Sequence, residues 1–246
     1  MYYLCNGFIY CPVGTRPAAA NVASAKREGM KKLVCLFLLL PLLARAGGQT
    51  PEVTESDKKG SEFVSNIRVT LNATYEQACL TLDKFVRQYK YNLDSLFEWA
   101  LRGMKLKGEK DDMISINLKT HTCAEGSDHV DGVMDLYVSI LRQDFHNTTY
   151  DVTLTREEES DGTLAVYYDL SRCDKVIDHA RARLAVTRNS DNTSCLTLDS
   201  RFKATLPYNL MSKKQYRDNI EWRLVQLVSN LRDEAEYPPA PLKGES

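Results

Sequence analysis

The chain offers few side chains that could do chemistry. It has four histidines, His121, His129, His146 and His179. None is paired at the i, i+4 spacing that puts two imidazoles on one helical face for zinc, and no H-E-x-x-H occurs. His121 and Cys123 stand two apart with Asp128 and His129 nearby. This stretch reads as a solvated loop rather than a metal site, so no metal ligand is assigned. There is no G-x-S-x-G nucleophile elbow, no glycine-rich phosphate loop and no dinucleotide fingerprint. No catalytic residue and no cofactor is therefore assigned. His179, Arg181 and Arg183 share one face of an alternating segment, which reads as a solvated sheet face or, behind that, a surface for an anionic partner. Glu157, Glu158 and Glu159 lead into a turn and read as solvated.

The cysteines depend on the compartment, and the compartment on "MKKLVCLFLLLPLLARAGGQ", Met30 to Gln49. Two lysines precede an apolar run from Leu33 to Leu43, followed by small residues. A spanning helix needs about 20 apolar residues, so the run is too short to cross a bilayer. A positive start, a short apolar core and an A-x-A site describe a secretory signal peptide. The signal is expected over 30–46, with Ala44 and Ala46 before a cut at Ala46/Gly47. The rival is a short apolar helix kept as an anchor. Residues 1–29 have no usable period and read as a spurious extension, or as a leader carrying Cys5 and Cys11. The expected location is exported, periplasmic or extracellular, with no stable membrane span after signal removal. Cys79, Cys123, Cys173 and Cys195 follow the cut. An even number in an exported chain reads as a disulfide framework of three possible connectivities, against free thiols packed as small hydrophobes. Asn72, Asn147 and Asn192 begin N-x-S/T sequons, which matter only in a eukaryotic host.

Composition fits an ordinary folded domain: 43% hydrophobic, net charge −1. No basic excess points to nucleic acid. Residues 47–61 are polar, rich in Gly, Pro and charge, and read as a linker. Residues 238–246 read as a proline-rich tail. The folded domain is expected over 62–237.

Within it, "NIRVTLNA" alternates as a strand with Ile67, Val69 and Leu71 on one face. Thr74 and Gln77 form a capping box that opens a helix to about Tyr89, and Asn92 caps a second short helix stopped by Gly103. Six alternating segments follow, from Met113, Val133, Tyr150, Thr163, Val176 and Ser194. Short turn-rich connections such as Ser160-Asp161-Gly162 make neighbours antiparallel. One face collects apolar residues, among them Ile116, Leu118, Leu136, Val152, Leu154, Val166, Leu184 and Leu198. The other collects Ser115, Asn117, Lys119, Thr153, Arg181 and Asp199. A sheet greasy on one side must be covered. The cover is the last helix, opened by a Ser212/Gln215 capping box, with Tyr216, Ile220, Leu224, Leu227 and Leu231 at helical spacing.

The segment from Ile67 to Phe85, "IRVTLNATYEQACLTLDKF", and the closing "NIEWRLVQLVSNLRDEA" resemble the START-like and Bet v 1-like superfamily, the polyketide cyclase/dehydrase and lipid-transport group. The resemblance implies an α+β helix-grip fold. It has a seven-stranded curved antiparallel sheet, two short helices after the first strand, and a long C-terminal helix across the concave face. Many members have proline after the first strand where Asn72-Ala73-Thr74 stands here. On that fold, the small residues Ala180, Ala182, Ser200 and Ala204 would leave room for a ligand, or else admit Trp222 or Leu224. Tyr168, Phe202, Ile220 and Leu224 would complete the lining, with Tyr168 the inward polar group. A guest would be mainly apolar and lipid-like. The expected function is an exported binder of a small apolar ligand. The alternatives are a cyclase- or dehydratase-type enzyme in the same cavity, and an envelope protein-binding or structural domain with a filled core. The enzyme ranks lower because the inward pattern supplies only tyrosine. No protein partner is specified.

Overall fold

The computed structural model describes residues 48–106, 114–138, 143–174, 176–205 and 210–239. The proposed extension 1–29, the signal segment 30–46, its cleavage point and most of the tail lie outside them.

Eight strands form one antiparallel sheet: β1 (Glu52–Lys59), β2 (Glu62–Leu71), β3 (Ile114–Cys123), β4 (His129–Val138), β5 (Gln143–Glu158), β6 (Leu164–Cys173), β7 (Ile177–Arg188) and β8 (Ser194–Ala204). Their order across the sheet is β1-β2-β8-β7-β6-β5-β4-β3. Helices α1 (Tyr75–Tyr91) and α2 (Leu93–Glu98) follow β2. The chain ends in a helical run of α3 (Lys213–Tyr216), a π-helical turn (Arg217–Glu221) and α4 (Trp222–Glu236). This is an α+β helix-grip arrangement, one antiparallel sheet covered by a C-terminal helix, with eight strands in place of the expected seven.

The extra strand lies in the stretch expected as a linker. β1 pairs with β2 through a two-residue connection, Gly60-Ser61, in which Gly60 takes φ +68°. A two-residue hairpin needs a positive φ there, and glycine adopts it without steric cost. β1 carries charge on both faces and has Val53 as its only apolar side chain, so no alternation announces it. Such an edge resists pairing with another chain. A second difference concerns the expected strand from Val133 to Phe145. Its first half ends β4 and its second half begins β5, which runs on without the break expected at Tyr150.

Both predicted capping boxes are present, Thr74 with Gln77 and Ser212 with Gln215. Each satisfies two of the amide groups that a helix start leaves unpaired. Behind them, α1 buries Ala78, Leu82, Phe85 and Val86, and α4 buries Val228, Leu231 and Ala235. These meet Ile67, Val69, Leu154, Val166, Leu184, Leu196 and Leu198 of the sheet in one core. The apolar face is thus the inner face, covered by α1 and the terminal run.

Two bulges alter the faces near β3. The β3–β4 register shifts between Leu118 and Thr120, so β3 carries one extra residue, Lys119. The β4–β5 register shifts between Met134 and Leu136, opposite His146 and Asn147 of β5. Asn147 takes φ 51° at that place, and its amide donates to Asp135 Oδ1 at 2.9 Å. A one-residue slip exchanges inner and outer faces.

The four described cysteines are free thiols, contrary to the expected framework. Cys173 on β6 lies opposite Tyr150, Tyr150 opposite Gly132, and Gly132 opposite His121, two residues before Cys123. Three strand spacings put these thiols roughly 14 Å apart along the sheet, beyond the ~7 Å Cα separation a bridge tolerates. Cys195 packs on the outer face, where Arg68 Nε donates to its sulfur at 3.0 Å, and Cys79 is on α1 at the inner face.

Candidate functional site

The inner face and the terminal run do not close completely. Two adjoining spaces lie between them. The larger, about 640 Å³, is bounded by Ile116, Leu136, Val138, Ile177, Phe202 and Ala204 from the sheet, and by Ile220, Leu224 and Leu227 from the terminal run. Leu101 and Met104, after α2, close one end, and Leu210 and Met211 border another. Leu210 is 77% exposed, so the space reaches the surface there. The smaller, about 260 Å³, lies deeper along the sheet among Phe85, Tyr89, Tyr168, Ala180, Ala182 and Ser200. Leu101, Phe202, Ile220, Leu224 and Leu227 line both.

All eight residues singled out by sequence as cavity-lining side chains border one of these spaces. Tyr168, Ala180, Ala182 and Ser200 border the smaller, Ala204 the larger, and Phe202, Ile220 and Leu224 both. Register explains the grouping: Tyr168, Ala182 and Ser200 are direct cross-strand neighbours on β6, β7 and β8, as are Ala180 and Phe202 on β7 and β8. Two alanines and a serine among larger neighbours leave the gap. Trp222 borders neither space; Leu224 roofs both.

Roofing depends on how the terminal run is fastened. Tyr216 is buried and stacks on Phe63 with ring centroids 4.5 Å apart. Its hydroxyl lies 3.0 Å from Ser65 Oγ, and Ser65 donates to Glu221 Oε2 at 2.7 Å. Burial pushes the Tyr216 phenol up to about 12. Further along, Asn230 donates to the carbonyls of Ala100 and Arg102.

Sequence reasoning missed two groups of polar residues. The first contains His121. Simple alternation turns Leu118, Thr120 and Thr122 inward, but the bulge at Lys119 turns His121 and Cys123 inward instead, opposite Gly132 and Val130. His121 is no loop residue: Nε2 lies 2.6 Å from the Tyr89 carbonyl and Nδ1 2.7 Å from the Tyr150 hydroxyl. The neutral ring donates to the carbonyl and accepts from the phenol. Gly132 makes this possible, because a Cβ there would stand 2.4 Å from both the Tyr150 hydroxyl and the Thr120 carbonyl. Burial lowers the His121 pKa, an effect the Tyr89 carbonyl opposes. Tyr89 packs edge-on against His121 and Tyr168. Burial pushes the Tyr168 phenol up to about 12 and that of Tyr89 well above its ordinary value. Both phenols are neutral near pH 7, and Tyr89 stands between His121 and the cavity.

The second group is Gln215, Asn219 and Arg223, which border the larger space from the terminal run. Arg223 is 8% exposed. Its Nε donates to the Met104 carbonyl at 2.9 Å and its Nη1 to the Asn219 carbonyl. No histidine or carboxylate is among the described residues that border either space. Arg181 borders the smaller space, but its guanidinium reaches away to Asp169, 3.1 Å distant.

The outer face is a lattice of ion pairs. Arg183 makes two bonds to Glu159, at 2.9 and 2.6 Å, and His179 lies 2.9 Å from Glu62. Glu159 is therefore engaged rather than merely solvated, and its pKa is held down chiefly by the Arg183 bond. Among the described residues no group of three or more His, Cys, Asp or Glu is placed to hold a metal ion, and no helix is long and apolar enough to cross a membrane. His129 lies 3.5 Å from Asp151, apart from the His121 contacts.

No protein-family model matches the chain. No curated protein matches it in sequence either. Similar solved structures include a START superfamily protein from Mycobacterium smegmatis, at 12% identity and TM-score 0.42, covering 70% of this chain and 97% of that one. Another is the Zhui aromatase/cyclase from Streptomyces sp. R1128, at 11% identity and TM-score 0.43, covering 71% and 94%. A third is a STAR-related lipid transfer protein from Xanthomonas axonopodis, at 11% identity and TM-score 0.39, covering 76% and 99%.

Proposed function

We propose that this chain is an exported protein that binds a small apolar, lipid-like molecule between its sheet and its terminal helical run. The observation that carries the reading is the space of about 640 Å³ with a predominantly apolar wall. Its size falls within the range that encloses a drug-sized ligand. Apolar walls reward a guest for the surface it removes from water, at about 25 cal/mol per Å². Tyr168, Ala180, Ala182, Ser200, Phe202, Ala204, Ile220 and Leu224 are the proposed contacts. Binding rather than turnover is the reading, because the described wall offers neutral phenols and one guanidinium but no imidazole or carboxylate. Export rests on the Met30–Gln49 pattern, with a mature periplasmic or extracellular chain beginning at Gly47.

The test is thermal unfolding of delipidated protein against a panel of fatty acids, sterols and isoprenoids. A ligand that binds the native state must raise its stability, by about 2.7 kcal/mol at a hundredfold excess over Kd. At least one member of the panel is expected to raise Tm in a concentration-dependent way. A flat response across the panel would count against the reading. Edman sequencing of the chain recovered from its host checks the export claim; a start upstream of Ala44 would refute cleavage.

A further inference from the structure

Ser200 is a polar residue in the wall of the smaller, deeper space, and it is only 7% exposed. Its neighbours in register fix where the side chain points. On β7 it faces Ala182, which borders the same space, and on β2 it faces Ser65. Ser65 meets Tyr216 and Glu221 of the terminal run, so this row of the sheet points inward. The Ser65 hydroxyl is engaged: it donates to Glu221 Oε2 at 2.7 Å and lies 3.0 Å from the Tyr216 hydroxyl. The Ser200 hydroxyl makes no hydrogen bond among the described residues. A hydroxyl buried without a partner is costly, and a guest that supplies one removes the cost. The charges around it do not suit an anion. Arg181 is paired with Asp169, and the buried Glu221 carboxylate lies just beyond Ser65.

We infer that the guest carries one uncharged oxygen, a hydroxyl or a carbonyl, that this oxygen enters first, and that Ser200 is its hydrogen-bond partner. The apolar body then fills the larger space behind it. This deepens the binding reading above and rests on it. A serine hydroxyl can donate to a carbonyl or accept from an alcohol, so either neutral group fits. A carboxylate at the same place would stand near Glu221 in a water-poor chamber, where like charges repel far more strongly than in bulk water. A fatty acid would therefore enter tail first and leave Ser200 unpaired. Ser200 thus sets both the polar group of the guest and its direction of entry.

A cycle of two guests and two chains tests this. Hexylbenzene and its terminal alcohol, phenylhexanol, displace the neutral fluorophore N-phenyl-1-naphthylamine from the full chain and from Ser200→Ala, which removes one oxygen and no carbon. In the unmodified chain the alcohol makes a hydrogen bond that the hydrocarbon cannot; in the variant its hydroxyl is left unpaired. The ratio of alcohol to hydrocarbon affinity should therefore fall about tenfold in Ser200→Ala, a coupling of about 1.4 kcal/mol. Ser200→Thr, which keeps the hydroxyl, should hold the ratio of the unmodified chain. An unchanged ratio in folded Ser200→Ala overturns the inference and leaves the cavity reading standing. A second readout needs no variant: the carbinol protons of phenylhexanol bound to the unmodified chain should show NOEs to the Ala182 methyl. NOEs from those protons to the Met104 or Met211 methyls instead overturn the inference, whether or not Ser200→Ala folds. If neither the probe nor either guest binds, the cavity reading falls and takes this inference with it.

Discussion

Replacing Ala182 with leucine distinguishes open space from a snug seat for the helix. Ala182 on β7 lies between Tyr168 on β6 and Ser200 on β8, and all three border the space of about 260 Å³. Leucine adds three carbons to that wall. If they enter empty space, their burial contributes about 0.8 kcal/mol each, or roughly 2.4 kcal/mol. Fixing the longer side chain costs about 0.5–1 kcal/mol. The net expectation is a stabilisation of roughly 1.5 kcal/mol. In a domain of this size each kcal/mol moves Tm by about 2–4 °C, so Tm should rise by roughly 3–6 °C. Urea and thermal unfolding of the delipidated variant measure this, and probe binding to the same sample should weaken because the added carbons occupy guest volume. If Ala182 is small only to admit Leu224, which borders the same space, the leucine must collide. Overpacking then costs about 1–3 kcal/mol and Tm falls. A fall in Tm with unchanged probe binding refutes the reasoning.

Three further perturbations address the supports. Gly132→Ala should lower stability by about 1–3 kcal/mol in urea titration, because the new Cβ meets the Tyr150 hydroxyl and the Thr120 carbonyl; a neutral outcome contradicts the His121 contact geometry. Burial holds the folded His121 pKa below its ordinary 6.5, so the unfolded chain binds the proton more readily. The stability this group contributes is therefore full above pH 6.5 and declines as pH falls through that value. Between pH 7.5 and 5.5 the unmodified chain should lose more stability than His121→Gln, and an equal loss in both would tell against it. Tyr216→Ala removes the stacked ring that fastens the terminal run to Phe63, at a cost of about 3–5 kcal/mol. Probe binding should be lost with it, and a variant that unfolds normally yet still binds would separate roof from cavity.

Much of this architecture was legible in the sequence because its apolar face is continuous. Ile67, Val69, Leu154, Val166, Leu184 and Leu198 sit at alternating positions, and the capping boxes at Thr74 and Ser212 mark their helices without ambiguity. β1 was not legible, since a strand whose side chains are charged on both faces carries no period-two signal. Nor was the inward turn of His121, which depends on a single extra residue at Lys119 that no local pattern announces. The same applies to the run from Val133 to Phe145, whose alternation continues across two strands. Arg223 escaped notice because the apolar residues at Ile220, Leu224 and Leu227 dominate the helical stripe. A guanidinium on its flank reads as solvent-facing until Met104 and Asn219 are seen to hold it in the wall. The cysteines misled through their even number, which says nothing of the strand spacings between them.

Methyl-labelled protein titrated with a bound fatty acid tests the central claim most directly. Intermolecular NOEs and shift changes should appear at Ile116, Ile220, Leu224 and Leu227, which border the larger space, and should be absent at Leu80, which is exposed on α1. Changes confined to Leu80 and Val53, or no changes at all, would contradict a guest held between the sheet and the terminal run.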